Sequence, residues 1–232
     1  MALKEISKLK QLNKFNLQRE TLTDKIVEVI ENRISSGELV VNTLLSEKMI
    51  ADEFGVSRGP ARESLLRLEE MDLVKKTPAG RFVKQFSIEE FRENHELKMV
   101  VEAYCCRQGS LNATKSEITK IQKLLDTIGE ILNSDQRKLI QQLNIQFHES
   151  LVLCSRNKKL IDVYRAQTKK VSWAIYFPSV HYHGTQRGYN DHKKIFDAFV
   201  KKDANKVRTL TEKHQKDMLK VLLNNFNKKI ED

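Results

Sequence analysis

Residues 45–71, LSEKMIADEFGVSRGPARESLLRLEEM, decide how the first third of the chain is read. They divide into two short helices joined by a tight turn at Gly55. Ser46 is placed to cap the first helix, whose Met49, Ile50 and Phe54 fall on one side. Gly55 gives the backbone freedom that a sharp turn between helices requires, and Val56 plugs the corner. Ser57 is placed to cap the second helix, Pro60 fits only within a first turn, and Ala61, Leu65 and Leu68 form a stripe for burial. Arg58 and Arg62 are left facing outward, one turn apart, near the amino end. Such a helix suits the major groove of DNA, where a guanidinium fork binds guanine O6 and N7 together and also holds phosphates. The plainer alternative is a solvated basic face on an ordinary helix pair. Turn, cap and arginine spacing occur together here, which favours a helix-turn-helix.

The flanks fit a small DNA-binding domain. Upstream, Leu22, Ile26, Val29, Ile30 and Ile34 trace one helical face that stops at Ser36-Gly37. A connector with Leu39, Val40 and Leu44 follows. Downstream, DLVKKTPAGRFVKQF alternates about a Pro78-Ala79-Gly80 turn and predicts a two-stranded hairpin, tied to the core by Val74 and by Phe82 or Val83. At the tip of this wing, Gly80 adds no bulk and Arg81 is suited to a narrow minor groove; a purely structural hairpin is the alternative.

Composition bounds the whole chain. The 232 residues suffice for one large or two smaller cored domains, and 8 Gly and 3 Pro with 31% charged residues favour a helix-rich protein over a sandwich or barrel. No apolar run is long enough to span a bilayer, and the opening MALKEISKLK lacks the apolar segment of a signal peptide, so a cytoplasmic protein without a membrane partner is expected. The net charge of +10 suits a polyanionic partner, yet residues 1–84 carry 15 Lys+Arg against 13 Asp+Glu, so the excess lies mostly downstream. The local cluster Arg58, Arg62, Arg67, Lys75, Lys76, Arg81 and Lys84 marks the DNA face better than the total does. Cys105, Cys106 and Cys154 are too few for a disulfide framework and read as packing residues, with a redox sensor as the alternative.

From Ser87 onward every long segment has helical periodicity, and six helices are predicted near 88–111, 117–133, 136–155, 158–176, 186–201 and 204–227, forming an antiparallel bundle. Ile118, Ile121, Leu125, Ile128 and Leu132 make the clearest stripe. Three other stripes carry polar residues: Ile140, Asn144, Phe147, His148 and Leu151; then Tyr189, His192, Phe196 and Phe199; then Val207, Leu210, His214, Met218 and Val221. A buried imidazole needs a partner for each nitrogen, and three of them on separate helices converge economically on one metal ion. Asn144, one turn before His148, aims at the same point. Zinc is the first choice for imidazole ligands, with nickel, iron and manganese open; a pocket that takes an anionic effector on the histidines themselves is the alternative. His181 and His183 have chelating spacing but read better as part of a solvated loop. Lys98 and Glu102, one turn apart, offer either an anchor for an effector carboxylate or an ion pair.

Residues 46–74, SEKMIADEFGVSRGPARESLLRLEEMDLV, resemble the winged helix-turn-helix of the GntR family of bacterial transcription regulators almost position by position. The resemblance implies DNA contacts at Lys48, Ser57, Arg58, Arg62 and the wing glycine Gly80. Gly59 stands where the family commonly has threonine, so a phosphate-holding hydroxyl is missing and operator preference is expected to differ. The helical part resembles the FCD effector domain of the FadR-type branch, in which an Asp and three His bind a metal beneath a small organic acid. His148, His192 and His214 match in order, while Asn144 replaces the aspartate and removes one negative charge.

The expected organisation is therefore a tail over 1–18, a winged helix-turn-helix over 19–86 and an all-helical metal-binding, effector-binding and dimerisation domain over 87–232. The expected function is a homodimeric regulator, a repressor in the first instance, that reads a pseudo-palindromic operator and answers to a small carboxylate effector. Two rivals are a ligand-independent architectural DNA-binding dimer and a metal-dependent hydrolase with Glu149 as base. Glu149 adjoins His148 and points about 100° away on a helix, which disfavours the hydrolase.

Overall fold

The structure is a computed structural model that describes residues 21–175 and 185–231. The expected tail and the pair His181 and His183 lie outside the described residues. Two compact units are present: residues 21–34 and 39–84 form the first, and residues 35–38 with those from 85 onward the second.

The first unit holds helices α1 (Leu22–Ser35), α2 (Glu47–Phe54) and α3 (Arg58–Glu70) and strands β1 (Leu44–Leu45), β2 (Val74–Thr77) and β3 (Gly80–Val83). Ser46 caps α2 by accepting from the Met49 amide at 3.1 Å, and Gly55 ends it in the left-handed region at φ 63°. Ala61, Leu65 and Leu68 of α3 are fully buried, each leucine gaining about 1.5–3 kcal/mol from leaving water. They meet Ile26, Ile30 and Ile34 of α1 and Ile50 of α2 in one core.

Several expectations need correcting. Ser57 has extended capping geometry, but its side chain makes no capping hydrogen bond. Met49 is half exposed, leaving Ile50 as the buried residue of α2. On α1 the buried face runs through Ile26, Val27, Ile30 and Ile34, while Leu22 and Val29 are exposed. The sheet has three strands rather than two: the connector residues Leu44 and Leu45 pair antiparallel with Phe82 and Arg81, giving the order β1-β3-β2. The hairpin register pairs Val74 with Val83 and Thr77 with Gly80, so Pro78 and Ala79 form the tip. Val83, buried beside Val74, ties the wing to the core, and Phe82 is only partly covered.

The second unit contains α4 (Ile88–Asn112), α5 (Lys115–Ile131), α6 (Arg137–Leu153), α7 (Lys158–Ile175), α8 (Gln186–Val200) and α9 (Ala204–Glu231). These are the six expected helices, with ends displaced by at most four residues. Reciprocal capping boxes start two of them, Ser87 with Glu90 on α4 and Thr114 with Glu117 on α5. Helix α4 is central, packing on α6, α7, α8 and α9. The core joins Ile121, Leu125 and Ile128 of α5 to Phe147 and Leu151 of α6 and to Ile195, Phe196 and Phe199 of α8. Cys105, Cys106 and Cys154 are buried free thiols, and burial pushes the Cys154 thiol up to about 11 and Cys106 well above its ordinary value. Thiols so disfavoured as thiolates are packing residues. Among the described residues no helix is long and apolar enough to cross a membrane.

Candidate functional site

The first unit sorts its basic cluster into two groups. Arg67 is engaged by Asp24 and Glu63, Lys84 by Asp72 at 2.7 Å, and Arg81 by Glu69 and, at 3.8 Å, Glu47. Arg58, Arg62, Lys48, Lys75 and Lys76 are exposed and in no ion pair among the described residues. Arg81, near the wing tip, is thus engaged by carboxylates of α3 and α2. Gly80 opens β3 at φ 136°, a backbone conformation that residues with a side chain rarely adopt, and a Cβ there would lie 2.8 Å from the Cδ1 end of the Leu44 side chain. Ser57 and Gly59 flank Arg58 at the exposed start of α3. The wing lysines Lys75 and Lys76, both exposed beside buried Val74, join this charge, as their place in the local basic cluster led one to expect.

In the second unit, three helices bring their histidines together. His148 on α6, His192 on α8 and His214 on α9 are 4%, 0% and 1% exposed. The Nε2 atoms of His148 and His192 stand 3.1 Å apart, as do those of His192 and His214, and the three ligand nitrogens lie within 4.8 Å of one another. Phe147 walls the group, its ring centroid 4.9 Å from that of His192. Asn144 is equally buried one turn before His148.

A second layer of polar residues surrounds this cluster. Glu102 of α4, completely buried, places Oε1 2.7 Å from His148 Nδ1. The same oxygen accepts from Gln215 Nε2 at 2.9 Å, and Oε2 accepts from Lys98 Nζ at 2.6 Å. Burial alone would push the Glu102 carboxyl up, but Lys98 and His148 beside it hold it below the ordinary carboxylate range. A carboxylate at Nδ1 keeps the proton on that nitrogen, so the lone pair of His148 Nε2 faces the other two histidines. Lys98 also lies 5.5 Å from the Tyr164 ring centroid and 3.3 Å from Gln215 Oε1. Of the two readings of Lys98 and Glu102, the ion pair is formed, and it is buried. Glu102 was singled out only as a partner of Lys98, and its contact with His148, like the whole part of Gln215, was not foreseen, because periodicity does not say which residue lies across from it on another helix.

Glu149 is turned away from the cluster and held by Arg165 at 2.7 Å. Three imidazole nitrogens at this spacing suit a divalent metal ion.

The family model for bacterial regulatory proteins of the gntR family matches residues 22–83, and that for the FCD domain matches residues 93–217, over half of the chain. The chain belongs to the GntR family. This GntR protein is a DNA-binding transcription regulator, not an enzyme. It is 22% identical over 200 residues to the HTH-type transcriptional repressor RspR of Escherichia coli, covering 86% of this chain and 88% of the relative. Over 223 residues it is 26% identical to the gluconate operon transcriptional repressor of Bacillus licheniformis, with 93% and 88% covered. The solved structure of E. coli McbR/YncC matches its fold with a TM-score of 0.77 at 18% identity, over 89% of this chain and 99% of the other. A GntR regulator from Rhodococcus sp. RHA1 matches with a TM-score of 0.72 at 19% identity, over 87% and 97%.

Proposed function

We propose that this regulator is a homodimeric repressor whose affinity for a pseudo-palindromic operator is set by a small carboxylate effector bound at a divalent metal, zinc in the first instance. The convergence of three imidazole Nε2 atoms from separate helices carries the metal part of the reading. The residues fit the group: His148, His192 and His214 would hold the ion, with Asn144 as a neutral fourth donor, and Glu102 orients His148. A bound metal would supply a Lewis-acidic point for a carboxylate, and buried Lys98, paired with Glu102, would lie in the layer around it. Two relatives support negative control, the gluconate operon transcriptional repressor and the repressor RspR, and the first acts on an operon named for an organic acid.

On the DNA side, Arg58 and Arg62 would reach base edges from the start of α3, Ser57, Gly59 and the exposed Lys48 would lie against phosphates, and the wing would follow through Gly80 with Lys75 and Lys76. Dimerisation draws support from α4, which exposes Leu97, Val100, Tyr104 and Leu111, a seam recurring at coiled-coil spacing. Glu93 near one end of that seam and Arg107 near the other would meet across a two-fold axis. A cytoplasmic location follows from the role.

Duplexes selected from a random pool by the purified protein test the DNA reading. Arg58→Ala should lower discrimination between the selected duplex and a scrambled one by about 1–3 kcal/mol in fluorescence anisotropy. Unchanged discrimination would remove Arg58 from the base-reading role.

A further inference from the structure

We propose that α9 carries a second, sequence-independent surface for duplex DNA, a stripe of lysines that meets the phosphate backbone outside the winged helix-turn-helix. Residues 186–220 hold 10 Lys+Arg against 5 Asp+Glu, so much of the basic excess of the second unit lies on α8 and α9. On α9 that excess is ordered. Lys206, Thr209, Lys213, Lys216 and Lys220 follow one another at steps of three and four residues and fall within about 80° of the helix circumference. All four lysines are exposed, and among the described residues none of them is in an ion pair. The two carboxylates that border the stripe on α9 are already engaged, Asp217 by Arg187 and Glu212 by Arg208, each at 2.8 Å. A groove of about 360 Å³ runs beside the stripe, lined by Arg187, Asn190, Asp191 and Lys194 of α8 and by Lys213 and Asp217 of α9. The exposed lysines of α5 differ, because Lys115, Lys120 and Lys123 share their helix with exposed Asp126 and Glu130.

The composition of the stripe selects the partner. Val207, Met218 and Leu222 of α9 are buried in the protein core, so the helix has no free apolar face to insert into a lipid surface. The stripe holds no aromatic side chain on which an unpaired base could stack, which disfavours single-stranded nucleic acid. What it offers is a rigid row of point charges about 21 Å long, suited to a linear polyanion of fixed shape. Lysines hold phosphates in this way without reading bases. Duplex DNA is already the partner of this regulator, so its phosphate backbone is the polyanion at hand.

The test is fluorescence anisotropy of the full chain on a scrambled duplex several helical turns long, repeated over a series of salt concentrations. The wild type is compared with a variant carrying Lys213→Gln, Lys216→Gln and Lys220→Gln. A control carrying Lys115→Gln, Lys120→Gln and Lys123→Gln removes the same charge from α5. Glutamine has a helix propensity close to that of lysine, so both variants keep their helices. Loss of three phosphate contacts should make the fall of log affinity with log salt shallower by about 2 to 3 in the α9 variant and weaken its binding at low salt. The control should stay close to the wild-type slope. A wild-type slope and affinity in the α9 variant would overturn the proposal and leave the stripe to an acidic protein. An equal change in the control would overturn it as well, since net charge and not the stripe would then carry the effect.

Discussion

His95 shows how a single buried residue of this regulator ties stability to pH. It lies fully buried on α4, its Nε2 3.1 Å from the Gln215 carbonyl, and burial, with the charge of Lys98 one turn away, pushes its pKa down to about 4. In the unfolded chain the same imidazole takes a proton near pH 6.5, so the unfolded state binds more protons between pH 6.5 and 4 and stability falls as pH falls through that window. The drop attributable to His95 is on the order of 3 kcal/mol, and His95→Gln, which keeps a donor for the carbonyl, should remove most of it in urea unfolding curves followed across that range. An unaltered pH slope in the variant would show that other groups carry it. The three site histidines were legible in the sequence because each interrupts an apolar stripe at a helical position. The contact of Glu102 with His148 was not, since periodicity assigns a face to a residue but not the residue across from it. For a related reason, sequence displays the charge of Arg81 near a hairpin tip and hides the carboxylates of Glu69 and Glu47 that pair with it.

At the scale of elements, the wing turns through a backbone angle at Gly80 that favours glycine. Gly80→Ala combines an unfavourable φ of 136° with contact against Leu44 Cδ1, and should destabilise the protein by about 1–3 kcal/mol in denaturant titration. It should also weaken DNA binding through a displaced β3. Loss of less than about 0.5 kcal/mol would mean that the backbone at position 80 relaxes without cost. Helices were more legible than strands. The six helices of the second unit were visible with their approximate ends because 15 or more residues repeat one apolar face. Strand β1 has only two residues, Leu44 and Leu45, and becomes a strand solely because β3 lies beside it. Met49 and Val29 were placed in the core by periodicity, but a short helix has neighbours on only part of its circumference, and those two residues face the uncovered part.

For the whole molecule, two half-sites read at once require two copies of the chain, and the exposed seam on α4 supplies the test. Val100→Glu would place a charge in the middle of that seam, where Val100 is 59% exposed in the single chain. The variant is expected to run as a monomer in light scattering and to lose affinity for a two-half-site duplex by a factor on the order of 100, with half-site binding retained. A variant that remains dimeric would move the interface elsewhere; a wild type that is monomeric at micromolar concentration would remove dimerisation from the proposed function. The sequence by itself determined the class of partner, since a helix-turn-helix is written in local terms: a cap, a left-handed glycine and two outward arginines within residues 46–62. It likewise determined that histidines would enter the second core. Only the tertiary structure decided which charges remain free for DNA and what surrounds the histidines. Ion pairs such as Arg81 with Glu69 and contacts such as Glu102 with His148 join residues on different elements, and no local periodicity encodes which side chains meet across a packed interface.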